Sequence, residues 1–110
     1  MRGEARYKRS PKEDRTYRGT VYDSKKEAQY AMGLYALLES GKISELREQV
    51  PFVICPKQNK GERDMVYRAD FQYVENGVTR TVDVKGHKTQ LYVLKKRLLQ
   101  YFHGIKIEEV

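Results

Sequence analysis

The sequence predicts an α/β domain: a central mixed sheet of about four strands flanked by two helices, in the order α-β-β-β-α-β. Three observations predict it. Two stretches with apolar residues at helical spacing, residues 24–40 and 90–103, each end at a glycine stop. Asn76-Gly77 lies between two runs of alternating β-branched and aromatic residues, the strongest short-range signal for a hairpin closed by a type I′ turn. Apolar runs at 49–55 and 105–110 supply the remaining strands. A chain of 110 residues suffices for one domain with one modest core.

Residues 1–16 are basic and polar, with Arg2, Arg6, Lys8, Arg9, Lys12 and Arg15 interrupted by Glu4, Glu13 and Asp14. No apolar face recurs there, so a flexible basic arm is expected, followed by one domain over 17–110. Such an arm either touches phosphates or is a solvated tail. Residues 16–22 could add a short edge strand. In the first helix, Ser24-x-x-Glu27 matches a capping box, and Ala28, Ala31, Leu34, Tyr35 and Leu38 form a stripe wide enough to pack on a sheet. Gly41 supplies the left-handed stop. Glu27 either caps this helix or points from its first turn toward an acidic patch elsewhere.

Residues 43–48 lead out of the helix and 49–55 read as a strand, in which Pro51 cannot donate to a ladder and so marks an edge or a bulge. Cys55 is the single cysteine, which leaves no intramolecular disulfide and suggests a small buried hydrophobe. A polar loop, 56–64, precedes the hairpin. Its expected core face carries Tyr67, Ala69, Phe71 and Tyr73 with Val78, Val82 and Val84. In the last helix Leu91, Leu94, Leu98 and Phe102, with Val93 and Tyr101, are expected to face inward, while Lys88, Lys95, Lys96 and Arg97 crowd outward.

The turn also fixes a register. With only Asn76 and Gly77 in the loop, Glu75 pairs with Val78 and Asp70 falls opposite Asp83. Cross-strand Cβ atoms lie roughly 5 Å apart, so two carboxylates there repel by about 3 kcal/mol at an effective dielectric of about 20. A hard divalent cation between them would remove the conflict, because Mg²⁺ takes one or two carboxylates and fills its shell with water and phosphate. Lys85, two residues beyond Asp83, falls on the same face, roughly 7 Å along the strand. The bland alternative is an Asp83–Lys85 ion pair on a solvated face, with Asp70 turned away.

Twenty-two Lys and Arg against fifteen Asp and Glu give a net charge of +7. That excess favours a polyanionic partner, nucleic acid before membrane. No apolar run approaches a membrane span and the basic N-terminus does not resemble a signal peptide, so a cytoplasmic protein is expected.

The order of these elements, with Glu27 on the first helix, Asp70 on one strand and Asp83-Val84-Lys85 on the next, resembles the core of the PD-(D/E)XK nuclease superfamily. The segments Tyr22-Asp-Ser-Lys-Lys-Glu-Ala28, Gln49-Val-Pro-Phe52, Tyr67-Arg-Ala-Asp-Phe71 and Val82-Asp-Val-Lys-Gly86 look like its small phage-type members. Ala69 stands where the superfamily's proline would precede Asp70. The resemblance implies a restriction-endonuclease-like fold and a metal-dependent DNA endonuclease, phage-encoded and working in the host cytoplasm on DNA replication, recombination or packaging. It implies Mg²⁺, or Mn²⁺ in its place, held by Asp70, Asp83, the Val84 carbonyl and Glu27, with Lys85 as the catalytic lysine.

Lys88, Lys95, Lys96 and Arg97 are candidates for sequence-independent phosphate contacts. His87 is either a phosphate contact or an uninvolved loop histidine. No base-reading motif is evident, so selectivity for DNA structure rather than sequence is expected. A homodimer would suit a double-strand cut, although no residue demands one. The alternative function is a non-catalytic nucleic-acid-binding module that keeps the nuclease fold.

Overall fold

A computed structural model describes residues 9–110. The chain divides into two compact units, Met1–Gly41 and Lys42–Val110. Together they hold the elements of a mixed α/β protein, with two helices and a four-stranded mixed sheet. No helix among the described residues is long and apolar enough to cross a membrane.

In the first unit, a 3-10 turn at Lys12–Arg15 leads into a small hairpin, β1 at Thr16–Tyr17 and β2 at Thr20–Val21. Instead of the single short edge strand expected at 16–22, these residues form a two-stranded sheet of their own, turning through Arg18 and Gly19, both at positive φ. Of the expected arm at 1–16, residues 1–8, with Arg2, Arg6 and Lys8, lie outside the described part. Arg15 within it is buried, its guanidinium donating to the carbonyls of Ser10 at 3.0 Å and Tyr22 at 2.7 Å. Helix α1 spans Lys25–Glu39. The Ser24 hydroxyl accepts the Glu27 N–H at 3.0 Å, as the capping box requires, and Gly41 follows the helix at φ +79°. Its buried stripe is Glu27, Ala28, Ala31 and Leu34.

The second unit is the sheet, in the order β3-β4-β5-β6, with α2 packed on it. Strands β3 (Ser44–Cys55), β4 (Met65–Glu75) and β5 (Val78–Asp83) are antiparallel neighbours. Helix α2 (Gln90–His103) carries the chain back so that β6 (Glu108–Glu109) joins β5 in parallel. Asn76 and Gly77 both take positive φ, the type I′ geometry, and the hairpin register is the predicted one from Glu75↔Val78 to Phe71↔Val82. Pro51 lies on β3, an edge strand.

In the second unit four details differ from the sequence reading. Strand β3 begins at Ser44, because Glu45 at φ +53° and a register shift between Ser44 and Arg47 let a polar, non-alternating segment keep pairing. Cys55 is exposed, since Ile54 takes the core side of the strand and its neighbour must point away. Val78 is exposed beside the turn tip.

The fourth is the largest. Leu99 is the buried residue of α2, and Tyr92 and Leu98 pack with it on Ile54, Tyr67, Ala69 and Ile107. Leu91, Val93, Leu94, Tyr101 and Phe102 are exposed. Apolar residues run around most of this helix, so periodicity alone allowed two adjacent stripes. The sheet takes the one containing Lys95 and Lys96, whose aliphatic stems cover apolar surface while their ammonium groups reach sheet acceptors.

This orientation predicts that Leu99→Ala lowers the unfolding free energy by about 3 kcal/mol, within the range for a fully buried leucine. Leu94→Ala should change it by less than about 1 kcal/mol. Urea denaturation of the two variants measures both.

Candidate functional site

Beyond the Phe71↔Val82 pair the β4–β5 ladder gives way to side chains. The backbone N–H of Asp70 donates to Asp83 Oδ1 at 2.8 Å, and the N–H of Val84 donates to Asp70 Oδ2 at 2.9 Å. Each carboxylate thus stands in for a backbone carbonyl of its own strand, and the two acids lie in the fork between the strands. The other two oxygens are also engaged. The Tyr67 hydroxyl donates to Asp83 Oδ2, and Gln49 Nε2 reaches Asp70 Oδ1 at 3.4 Å. Gln49 sits at φ +52° in β3, a left-handed position next to the register pair Val50↔Ala69.

These donors correct one expectation. A cation is not needed to make the aspartate pair tolerable, because N–H and O–H groups already meet the charge of each acid. Room for one remains, since a carboxylate oxygen accepts more than one hydrogen bond. Two buried aspartates are hard oxygen donors of the kind Mg²⁺ takes, with its remaining positions left to water and phosphate. Among the described residues no group of three or more His, Cys, Asp and Glu is gathered closely enough to hold a metal by itself.

Asp83 is completely buried and Asp70 nearly so. On its far side Asp83 is pinned by β6: the Val110 N–H donates to the Asp83 carbonyl at 2.9 Å, and the Lys85 N–H to the Val110 carbonyl at 3.2 Å. Burial pushes the Asp83 carboxyl up from the ordinary aspartate range. The Asp70 N–H and the charge of Lys85 pull it down without overcoming that burial.

The fork brings together Asp70, Asp83, Val84 and Lys85. The Lys85 ammonium lies over the ring of Tyr92, 4.8 Å from its centroid. Glu27 belongs to the first unit, where it is buried at the first turn of α1. The basic residues expected to face solvent are largely committed within the protein. Lys88 and Lys96 both bind the Glu109 carboxylate, at 2.9 and 3.2 Å, and Lys95 donates to the Val66 carbonyl at 3.1 Å. Arg97 and His87 are exposed.

Four residues at or beside the fork were not among the site residues expected from the sequence: Gln49, Tyr67, Tyr92 and Glu109. Tyr67 counts as a core residue by alternation, and nothing in the alternation reveals that its hydroxyl ends on Asp83. Glu109 becomes visible only once β6 pairs with β5, which places it opposite Asp83.

The raised carboxyl of Asp83 gives a sign for pH. A carboxylate whose proton is held more tightly in the folded state contributes stability that is complete below the ordinary aspartate value, about 4, and lost as pH rises through its raised one. In metal-free buffer, the stability of wild type relative to Asp83→Asn should therefore fall as pH rises from about 4 toward neutrality; urea midpoints across that range provide the measurement. Tyr67→Phe, which strips a donor from the buried acid, should cost about 1–3 kcal/mol at neutral pH.

A family model described as a protein of unknown function, DUF1064, matches residues 6–109. No curated protein and no solved structure matches the chain. Since the family match runs through both helices, the fork and the whole of the sheet, the chain belongs to the DUF1064 family.

Proposed function

We propose that this protein is a metal-dependent endonuclease that hydrolyses phosphodiester bonds in DNA. The observation that carries the reading is the fork, in which two buried aspartates are fixed by cross-strand hydrogen bonds, with a lysine two residues beyond one of them. Ordinary surface acids are not locked in this way. Carboxylates positioned before any ligand arrives need no rearrangement to receive one, which is the preorganisation that charge-stabilising catalysis requires.

In this reading Asp70, Asp83 and the Val84 carbonyl would hold Mg²⁺ or Mn²⁺. When bound, the ion supplies Lewis-acid polarisation of the phosphate and a lowered pKa for water. Asp70 and Asp83 keep their orientation through the Val84 and Asp70 N–H groups, so the protein's own backbone sets the angle between them. Lys85 has a flexible stem and a point charge resting on the Tyr92 ring, from which it can swing to orient a water or meet negative charge on phosphorus. The net charge of +7 favours a polyanionic substrate. The element order is compatible with a restriction-endonuclease-like core, and a phage-encoded protein at work in the host cytoplasm follows from the same resemblance.

A second reading has its own observation. Because protein donors already engage Asp70 and Asp83, the pair could be a structural clasp in a non-catalytic nucleic-acid-binding module. Cleavage assays separate the two. Supercoiled and branched DNA incubated with Mg²⁺ or Mn²⁺ should be cut by wild type, and Asp83→Ala and Lys85→Ala should each lose about a hundredfold or more of that activity. DNA binding without turnover or measurable metal affinity would establish the clasp instead.

A further inference from the structure

Beside the fork, three donors converge on one carboxylate. Lys88 Nζ lies 2.9 Å from Glu109 Oε1, while Lys96 Nζ and the Tyr92 hydroxyl lie 3.2 and 2.7 Å from Oε2. We propose that Lys88, Lys96 and Tyr92 form a phosphate-binding subsite in which the Glu109 carboxylate stands in for the oxygens of a substrate phosphate. The proposal rests on the reading of this protein as one that acts on phosphodiesters, and it assigns the neighbouring phosphate a seat.

The chemistry of the cluster fits an oxyanion. Two ammonium groups and one hydroxyl offer donors of the kind that a backbone phosphate accepts. They come from the α2 region, in which no residue of Gln90–His103 is acidic, so their counter-charge is brought by β6. Glu109 pairs with Asp83 in the β5–β6 ladder, so the residue that gathers the cluster sits on the strand next to the fork, its backbone roughly 4.8 Å away. Tyr92 links the two places directly: its hydroxyl binds Glu109 and its ring carries the Lys85 ammonium.

The cluster is also reachable. The Glu109 side chain is 23% exposed and that of Lys88 48%. Both lysines reach solvent, so their attraction to Glu109 is screened by water and salt. An incoming phosphate brings more charge and more acceptor oxygens than a carboxylate and competes with Glu109 for the same three donors.

The test uses inorganic phosphate as probe, without divalent metal, followed by NMR of the lysine side chains at low salt. Glu109→Gln keeps the shape of the side chain and removes its charge. It should bind phosphate about tenfold more tightly than wild type, the change expected from deleting two competing exposed ion pairs, with shifts at Lys88, Lys96 and Tyr92. Adding Lys88→Ala and Lys96→Ala should abolish the gain. Unchanged affinity in a folded Glu109→Gln protein, or shifts that map elsewhere, would overturn the proposal.

Should Glu109→Gln not fold, Lys96→Gln in the wild-type background gives the answer through DNA binding. The slope of log affinity against log salt should become shallower by about 0.9 for one lost contact to duplex phosphate, and an unchanged slope overturns the subsite. Phosphate bound at the cluster by a protein that cuts no DNA would sink the nuclease reading and spare this one. DNA cleavage with a Glu109→Gln phosphate affinity equal to wild type would do the reverse.

Discussion

Everything at the centre of this protein depends on a swap of hydrogen-bond acceptors. Where β4 and β5 would continue their ladder, the acceptors become the carboxylates of Asp70 and Asp83 in place of backbone carbonyls. The exchange solves two problems together. It ends a hairpin without leaving the Asp70 and Val84 N–H groups unpaired, and it satisfies two acids that would otherwise repel at close range in a buried setting. Among the described residues every buried side-chain nitrogen and oxygen has a hydrogen-bond partner. The sheet is therefore organised around a polar fork whose cost in burial is offset by backbone donors rather than by solvent.

The surroundings of the fork follow from the same constraint. Tyr67 belongs to the apolar cluster with Ala69 and Leu99, yet its hydroxyl extends to the second oxygen of Asp83, so core packing and acid placement are coupled through one side chain. Val110, just past β6, bonds the backbones of Asp83 and Lys85, and β6 brings Glu109 into reach of Tyr92, Lys88 and Lys96. Those contacts hold the Glu109 carboxyl well below its usual range, at about 2, with the bond from Lys88 contributing most. Burial, and after it the bond to the same carboxylate, push the Tyr92 hydroxyl upward, so it stays a donor at neutral pH. Positive charge beside the fork is thereby gathered around one carboxylate.

Much of this was legible in the residues. Asn-Gly between alternating runs fixes both a turn and a register, because only one loop length places positive φ at both positions. Ser24 and Gly41 bound the first helix by local hydrogen bonding and backbone freedom, which are also local properties. What escaped the sequence depends on long-range packing. The inward face of α2 could not be chosen from periodicity when apolar residues surround the helix, and the sheet selected a stripe containing lysines. The start of β3 was hidden because left-handed residues at Glu45 and Gln49 break the alternation that marks a strand. The facing of Asp70 and Asp83 was readable, whereas their use as ladder acceptors was not, since that depends on how the strands part beyond the last regular pair.

The central claim is that the fork receives a divalent cation. Crystals soaked in Mn²⁺ and measured at its absorption edge test it directly. The account predicts an anomalous peak within about 2.2 Å of oxygens from both Asp70 and Asp83, with the Val84 carbonyl completing the protein's share of the shell. A fork without a peak while manganese occupies other carboxylates of the same molecule, such as Glu108 or Glu109, would contradict it.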